Sequence, residues 1–191
     1  MKKAIIFVTS NKGKVASSQK YFKDTNIELE IFKYDLIEPR TDEIKEIATS
    51  KVLQAYELVK KPCIALDVGF FIEELNGFPR AFVNFALNTI GISGILKLME
   101  GKSNRNCFFE EYLAYYDGKK IEYFSCKIHG TLAYEILGND TNKKWSDLWY
   151  IFVPEGYTKT LAQMTDEERQ ERSNIKPPEA FQLFANWMNE K

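Results

Sequence analysis

Three short stretches of this chain hold residue types suited to chemistry on phosphate groups. The first is Thr9-Ser10-Asn11-Lys12-Gly13-Lys14, a polar turn between an apolar strand and a helix. Backbone N–H groups and the positive end of a helix dipole attract anions at such a junction, and two lysines add compensating charge. The glycine spacing is not that of a Walker A loop, and a solvated surface turn is the plain alternative. The second is Asp67, at the end of the apolar run Cys63 to Val68 and just before Gly69. Ligand sites in α/β sheets collect at strand C-termini, although a turn or capping Asp reads the same way. The third is Glu38, in a polar stretch between strand and helix, where a surface Glu is the ordinary case. Taken together the three acquire a common purpose. Phosphoanhydride hydrolysis needs cations on the phosphates, carboxylates that hold Mg²⁺, and a positioned water. Mg²⁺ takes oxygen ligands and is commonly held by one or two carboxylates plus substrate phosphates.

Other chemistries find less support. The one histidine, His129, falls in a strand-like segment with no nucleophile indicated beside it, so it reads as structural. Cys63, Cys107 and Cys126 are odd in number and widely spaced, which fits neither a zinc site nor a disulfide framework. A formal net charge of −1 provides no global basic field for nucleic acid, so an anionic ligand must be held by local charge. No apolar run approaches the roughly 20 residues that span a bilayer. Met1-Lys2-Lys3 precedes only five apolar residues, too few for a secretory core. The expectation is a cytoplasmic protein with no nucleic-acid or membrane partner.

The elements that must position these residues follow from periodicity. Lys3 to Thr9 reads as a buried strand, Val15 to Phe22 as a helix, and Ile27 to Tyr34 as an alternating strand. Thr41-Asp42-Glu43 starts a helix whose Ile44, Ile47, Ala48, Val52, Ala55 and Leu58 recur at three- and four-residue steps, ending near Lys60-Lys61-Pro62. Helix is expected from Phe82 to Met99, broken around Gly91. Cys107 to Tyr116, Lys119 to His129 and parts of Thr131 to Ile136 read as antiparallel strands, with Asp117-Gly118 as a hairpin turn. Phe152 to Glu155 leads into a turn, and Thr165 to Arg172 and Pro178 to Asn189 are the last helices. The 191 residues suit one domain with a mixed α/β sheet.

Several of these segments, in order, resemble the inosine triphosphate pyrophosphatase family. Val8-Thr9-Ser10-Asn11-Lys12-Gly13-Lys14 is similar to that family's Thr-Gly-Asn-x-x-Lys opening, and Asp35-Leu36-Ile37-Glu38 to the segment ending in its metal-binding Glu. Glu46-Ile47-Ala48 with Lys51 fits the helix that follows. Asp67-Val68-Gly69 with Leu75-Asn76-Gly77-Phe78-Pro79 resembles the Glu-Asp-Thr-Gly…Leu-Asn-Gly-x-Pro-Gly block. Phe152-Val153-Pro154-Glu155-Gly156-Tyr157 and Lys159 to Met164 resemble the late block. The resemblance implies an α/β fold: an elongated mixed β-sheet flanked by helices, in one domain of two lobes around a central cleft, usually as a homodimer. It implies Mg²⁺-dependent hydrolysis of a nucleoside triphosphate to monophosphate and pyrophosphate. Thr9, Ser10, Asn11, Lys12, Lys14, Lys51 and Arg169 would then contact the triphosphate. Glu38 and Asp67 would bind metal, with Asp67 also activating water.

The departures from the family pattern concentrate on the base. Its base-reading Asp falls on Trp149, and its Ser-His-Arg motif is Ser173-Asn174-Ile175. A pocket of Trp149, Phe152, Ser173 and Asn174 would stack on a base, worth on the order of 1–3 kcal/mol, without reading a purine edge in the family's way. Leu66 stands where the family has a Glu, which implies one carboxylate fewer, and Arg80 replaces a Gly. Altered base specificity is the expected result. Two further readings stay open: a weakened relative that binds or senses a nucleotide, and a phosphohydrolase acting on another nucleotide or a sugar phosphate.

Overall fold

The computed structural model describes residues 2–23, 25–139, 144–175 and 178–191, with 173–175 described by backbone alone. Strand β1 (Lys3–Val8) is the short β-branched run that opens the chain, and Ile5 to Val8 are all buried. A strand buried on both faces carries an unbroken apolar run rather than an alternating one. β1 pairs in parallel with β2 (Ile27–Phe32) along its whole length. It pairs in parallel with β3 (Cys63–Ile72) only at Ile6–Cys63 and Phe7–Ile64. The later strands are β4 (Pro79–Arg80), β5 (Asn106–Tyr116), β6 (Ile121–Leu132) and β7 (Phe152–Pro154). The sheet order is β2-β1-β3-β5-β6-β7, with β4 antiparallel on β3 and β7 antiparallel on β6. Parallel and antiparallel pairs make it the mixed α/β sheet expected.

Six α-helices fall among the described residues: α1 (Lys12–Phe22), α2 (Ile44–Val59), α3 (Val83–Thr89), α4 (Gly91–Leu98), α5 (Asp166–Ile175) and α6 (Ala180–Asn189). The chain divides into two compact units. One contains Met1–Val68, Glu111–Cys126 and Pro178–Lys191; the other contains Gly69–Glu110 and Lys127–Pro177.

The first unit has two apolar clusters. Ile5, Phe7, Ile64 and Leu66 pack with Phe22 of α1 and with Phe181, Phe184 and Met188 of α6. Ile6, Val8, Cys63 and Ala65 pack instead with Ala48, Val52 and Ala55 of α2. Alternate residues of β1 and β3 therefore serve opposite faces, as strand geometry dictates. The β5–β6 connection closes on Asp117, whose Oδ1 accepts the N–H of Lys119 at 2.9 Å and of Lys120 at 3.0 Å. Gly118 in that turn has φ +91°, and a Cβ there would meet the Tyr56 hydroxyl at 2.2 Å, so only glycine fits.

The second unit is built around Phe70, Phe109 and Phe152, with Phe109–Phe152 ring centroids 4.8 Å apart. Buried Arg105 donates to the carbonyls of Met99, Leu132 and Ala133 at 3.1, 3.2 and 2.5 Å.

Several boundaries differ from the sequence expectation. α1 begins at Lys12 rather than Val15, because Asn11 caps it by accepting the Lys14 N–H at 3.0 Å. β3 continues five residues past Asp67, since Phe70 and Ile72 stay buried and supply a continuous strand pattern. Residues 131–132 belong to β6 rather than to a separate strand, and Phe152–Pro154 is itself a strand, which leads into the turn at 155–156 as expected. The break at Gly91 is where it was expected, with φ +65° between α3 and α4.

Candidate active site

Asp67 reaches the site because β3 outruns its neighbour. Parallel pairing with β1 is recorded at Cys63 and Ile64, and β1 ends at Val8 while β3 runs on. The carboxylate therefore sits in mid-strand, yet beyond the carboxyl end of β1, where open α/β sheets place ligands. Its strand neighbours Ala65 and Leu66 separate by face. Ala65 belongs to the α2 cluster and Leu66 to the α6 cluster. Asp67 shares the α2 face, and there it meets Lys51.

Lys51 lies on the buried stripe of α2 with Ile44, Ile47, Ala48, Val52 and Ala55. Its ammonium donates to Asp67 Oδ1 at 2.7 Å and to Glu38 Oε1 at 2.5 Å. Glu38 comes from residues 33–39, which have no regular structure. The Lys14 ammonium, from the first turn of α1, donates to the Leu66 carbonyl at 2.8 Å and lies 3.4 Å from Asp67 Oδ1. Lys14, Glu38, Lys51 and Asp67 thus form one cluster of two cations and two carboxylates.

The cluster is asymmetric in exposure. The Asp67 side chain is 8% exposed and that of Lys51 11%, whereas that of Glu38 is 56% exposed. Burial pushes the Lys14 pKa below the usual lysine value, opposed by the charge of Asp67 and reinforced by that of Lys51. Burial acts in the same direction on Lys51. There the Asp67 charge and the hydrogen bonds to Asp67 and Glu38 outweigh it, and its pKa is raised.

The opening turn completes the arrangement. Thr9 Oγ1 accepts the Asn11 N–H at 3.2 Å, and the Ser10 hydroxyl donates to Asp35. Asn11 and Lys12 are exposed. The first turn of α1 contains no acidic residue and two lysines. Cations at a helix N-terminus are unfavourable by themselves and favourable around an anion.

The remaining expected residues lie in the second unit. Trp149, in the short helical turn Asp147–Tyr150, is 8% exposed, and its indole N–H has no partner among the described residues. The Arg169 guanidinium stands 5.4 Å from the Trp149 ring. It donates to the carbonyls of Leu161 (2.9 Å) and Met164 and pairs with Asp166 at 2.5 Å. Its described bonds thus brace the turn before α5. Phe152 is fully buried in the aromatic core. Ser173 and Asn174 fall in α5, and the base-pocket expectation for them rests on side chains that lie outside the described residues.

Sequence reasoning missed two contributors. Asp35 receives the Ser10 hydroxyl, and Gln54 bonds both backbone groups of Ile37. Gln54 was discoverable in principle, because it stands three residues after Lys51 and so on the same side of the helix.

A carboxylate at position 66 would point away from this cluster. The Leu66 side chain is 6% exposed within the α6-side core. The residue type there bears on packing, and the inference that Leu66 removes a metal ligand does not follow from the geometry.

Comparison with known proteins bears on the family and the fold. The sequence profile of the Ham1 family matches residues 5–187. A dITP/XTP pyrophosphatase of Thermococcus kodakarensis is 36% identical over 97% of each chain. Another from Saccharolobus solfataricus is 36% identical over 95% of this chain and 91% of its own. Among solved structures, a HAM1 protein from Coxiella burnetii superposes with a TM-score of 0.83 at 21% identity over the whole of both chains. The Staphylococcus aureus Ham1 protein gives 0.78 at 21% identity over 99% and 100%. The structural likeness carries the fold, and the sequence match carries the kinship: this chain belongs to the Ham1 family.

Proposed function

We infer that this chain is a nucleoside-triphosphate pyrophosphatase that hydrolyses its substrate to the monophosphate and pyrophosphate with the help of Mg²⁺. The observation that carries the reading is the Lys51 ammonium held between Glu38 and Asp67, with Lys14 on the same Asp67 oxygen. Two carboxylates converging on one cation-sized position are a hard oxygen donor set of the kind magnesium takes, with substrate phosphates as the further ligands. The two acids and two lysines cancel in charge, so a magnesium–polyphosphate can enter without a large net repulsion.

Glu38 and Asp67 would hold the ion, which when bound polarises the phosphate oxygens and neutralises developing charge. Lys14, Lys51 and the N-terminus of α1, with Thr9, Ser10, Asn11 and Lys12, orient the phosphate chain. Asp67 takes the proton of the attacking water. The water oxygen bonds to the α-phosphorus, the bond from that phosphorus to the bridging oxygen breaks, and pyrophosphate leaves.

The relatives named dITP/XTP pyrophosphatases supply the first substrates to try. The proposed base preference departs from the resembled family pattern at Trp149, which offers a ring face and a single N–H donor in place of an acidic acceptor. The reading carries with it a cytoplasmic homodimer. Pyrophosphate release from a panel of standard and modified NTPs and dNTPs, with Mg²⁺ or Mn²⁺, tests it. Turnover of at least one member, abolished in a folded Asp67→Asn variant, is expected; release of phosphate instead of pyrophosphate would point to a different hydrolase.

A further inference from the structure

Gln54 is placed to decide where Glu38 stands. Its side-chain amide bonds the Ile37 backbone twice, Oε1 accepting the N–H at 3.0 Å and Nε2 donating to the carbonyl at 2.7 Å. Nε2 also lies 3.3 Å from the Ser50 carbonyl and 3.1 Å from the Ser50 hydroxyl, so the amide is tied to its own helix. A primary amide offers a donor and an acceptor in one plane at any ordinary pH, which is what both polar groups of one backbone residue require. Asparagine has the same group on a stem one methylene shorter.

The residue so held immediately precedes Glu38. Leu36 packs on the α2-side core, but the Ile37 side chain is 77% exposed, and residues 33–39 have no ladder or helix bonds to fix them. On the other side Pro39 confines Glu38 to extended backbone. Gln54 and Pro39 therefore bracket the carboxylate. Lys51, one turn before Gln54 on the same helix, receives it. A carboxylate more than half exposed and carried on irregular backbone would otherwise be free to leave, since an ion pair that open to water holds it only weakly.

We propose that Gln54 is a positioning residue: its amide fixes the Ile37–Glu38 backbone so that Glu38 faces the position it shares with Asp67, and so sets the protein's hold on a divalent cation. The proposal rests on the function inferred above, and it concerns the cation, not the nucleotide base. Partners that orient a metal ligand are commonly worth about tenfold or more in metal affinity.

Gln54→Met keeps the volume and removes both bonds; Gln54→Ala removes both bonds and the volume. Amide hydrogen exchange without metal should accelerate at Ile37 in both variants by roughly tenfold or more, with β1 and α1 unchanged. The Mg²⁺ concentration for half-maximal turnover should rise about tenfold in both, with kcat at saturating Mg²⁺ close to wild type. Unchanged Ile37 exchange, or an unchanged Mg²⁺ requirement in an active Gln54→Met enzyme, overturns the proposal. Recovery in Gln54→Met but not Gln54→Ala does so too, because it assigns the role to packing. Should the wild type turn over no nucleotide, the functional reading fails. Calorimetric binding of Mn²⁺ to wild type and Gln54→Met then decides this inference separately: weaker binding in the variant supports it, equal binding or none overturns it.

Discussion

At the scale of the residue, the cluster is a place where folding and function pull apart. Lys14 is carried into a desolvated position that depresses its pKa, with Asp67 as its compensating charge. Asp67 keeps a second partner in Lys51 at 2.7 Å, so removing Lys14 does not strand a buried carboxylate. Lys14→Met should therefore leave the thermal midpoint unchanged or raise it, while turnover falls on the order of 10²–10³-fold through loss of charge on the phosphates. Calorimetry and pyrophosphate release on the same preparation check both halves. The residue scale is also where the sequence was most legible. Lys14, Glu38, Lys51 and Asp67 were singled out by type and by family motif, and they meet. Gln54 escaped because a helix-surface glutamine looks like any other, and its target is a backbone group rather than a side chain.

Elements decide what a given position means. In β3 the pleat sends Leu66 and Asp67 to opposite faces, so adjacent acids there would not share a ligand. Leu66→Glu should add no activity and should destabilise strongly. Holding a glutamate neutral at pH 7 against an ordinary value near 4.3 costs about 3.7 kcal/mol, before the lost leucine burial is counted. A denaturant titration that gave near-wild-type stability would contradict the assignment of faces. The short strand β4 holds a second case. Arg80 has φ +55°, a left-handed backbone that a side chain adopts at a cost of about 1–2 kcal/mol. Glycine gives back roughly 0.5–1 kcal/mol in entropy, so Arg80→Gly should raise the thermal midpoint by about 2 °C. A left-handed backbone favours glycine, and the sequence of this chain hides it.

For the molecule as a whole, stability at alkaline pH is set in part by thiols that burial keeps protonated. Burial pushes Cys63 from an ordinary 9.0 to about 12, and it raises Cys107 as well, with Glu73 adding to the shift and Arg105 opposing it. A raised folded-state pKa means that the folded chain holds these protons longer than the unfolded one. Their contribution is complete below about pH 9 and is lost as pH climbs toward 12. Unfolding free energy measured from pH 8 to 11 should fall, and less steeply in a Cys63→Ala, Cys107→Ala double variant. Iodoacetamide should modify Cys63 and Cys107 only after denaturation.

By itself the sequence determined the order of elements, the mixed sheet, the family and four side chains of the charged cluster, because periodicity and short motifs are local and survive without coordinates. Only the tertiary structure decided that Lys51 is the cation joining both carboxylates, that β3 overshoots β1 and so carries Asp67 past its end, and that Leu66 faces the core. It also decided that Arg169 braces a turn and that a glutamine anchors Glu38. Each depends on which face a residue takes or on where one strand ends against another. Apart from those of Arg169, these contacts join residues more than ten positions apart, and no local pattern encodes them.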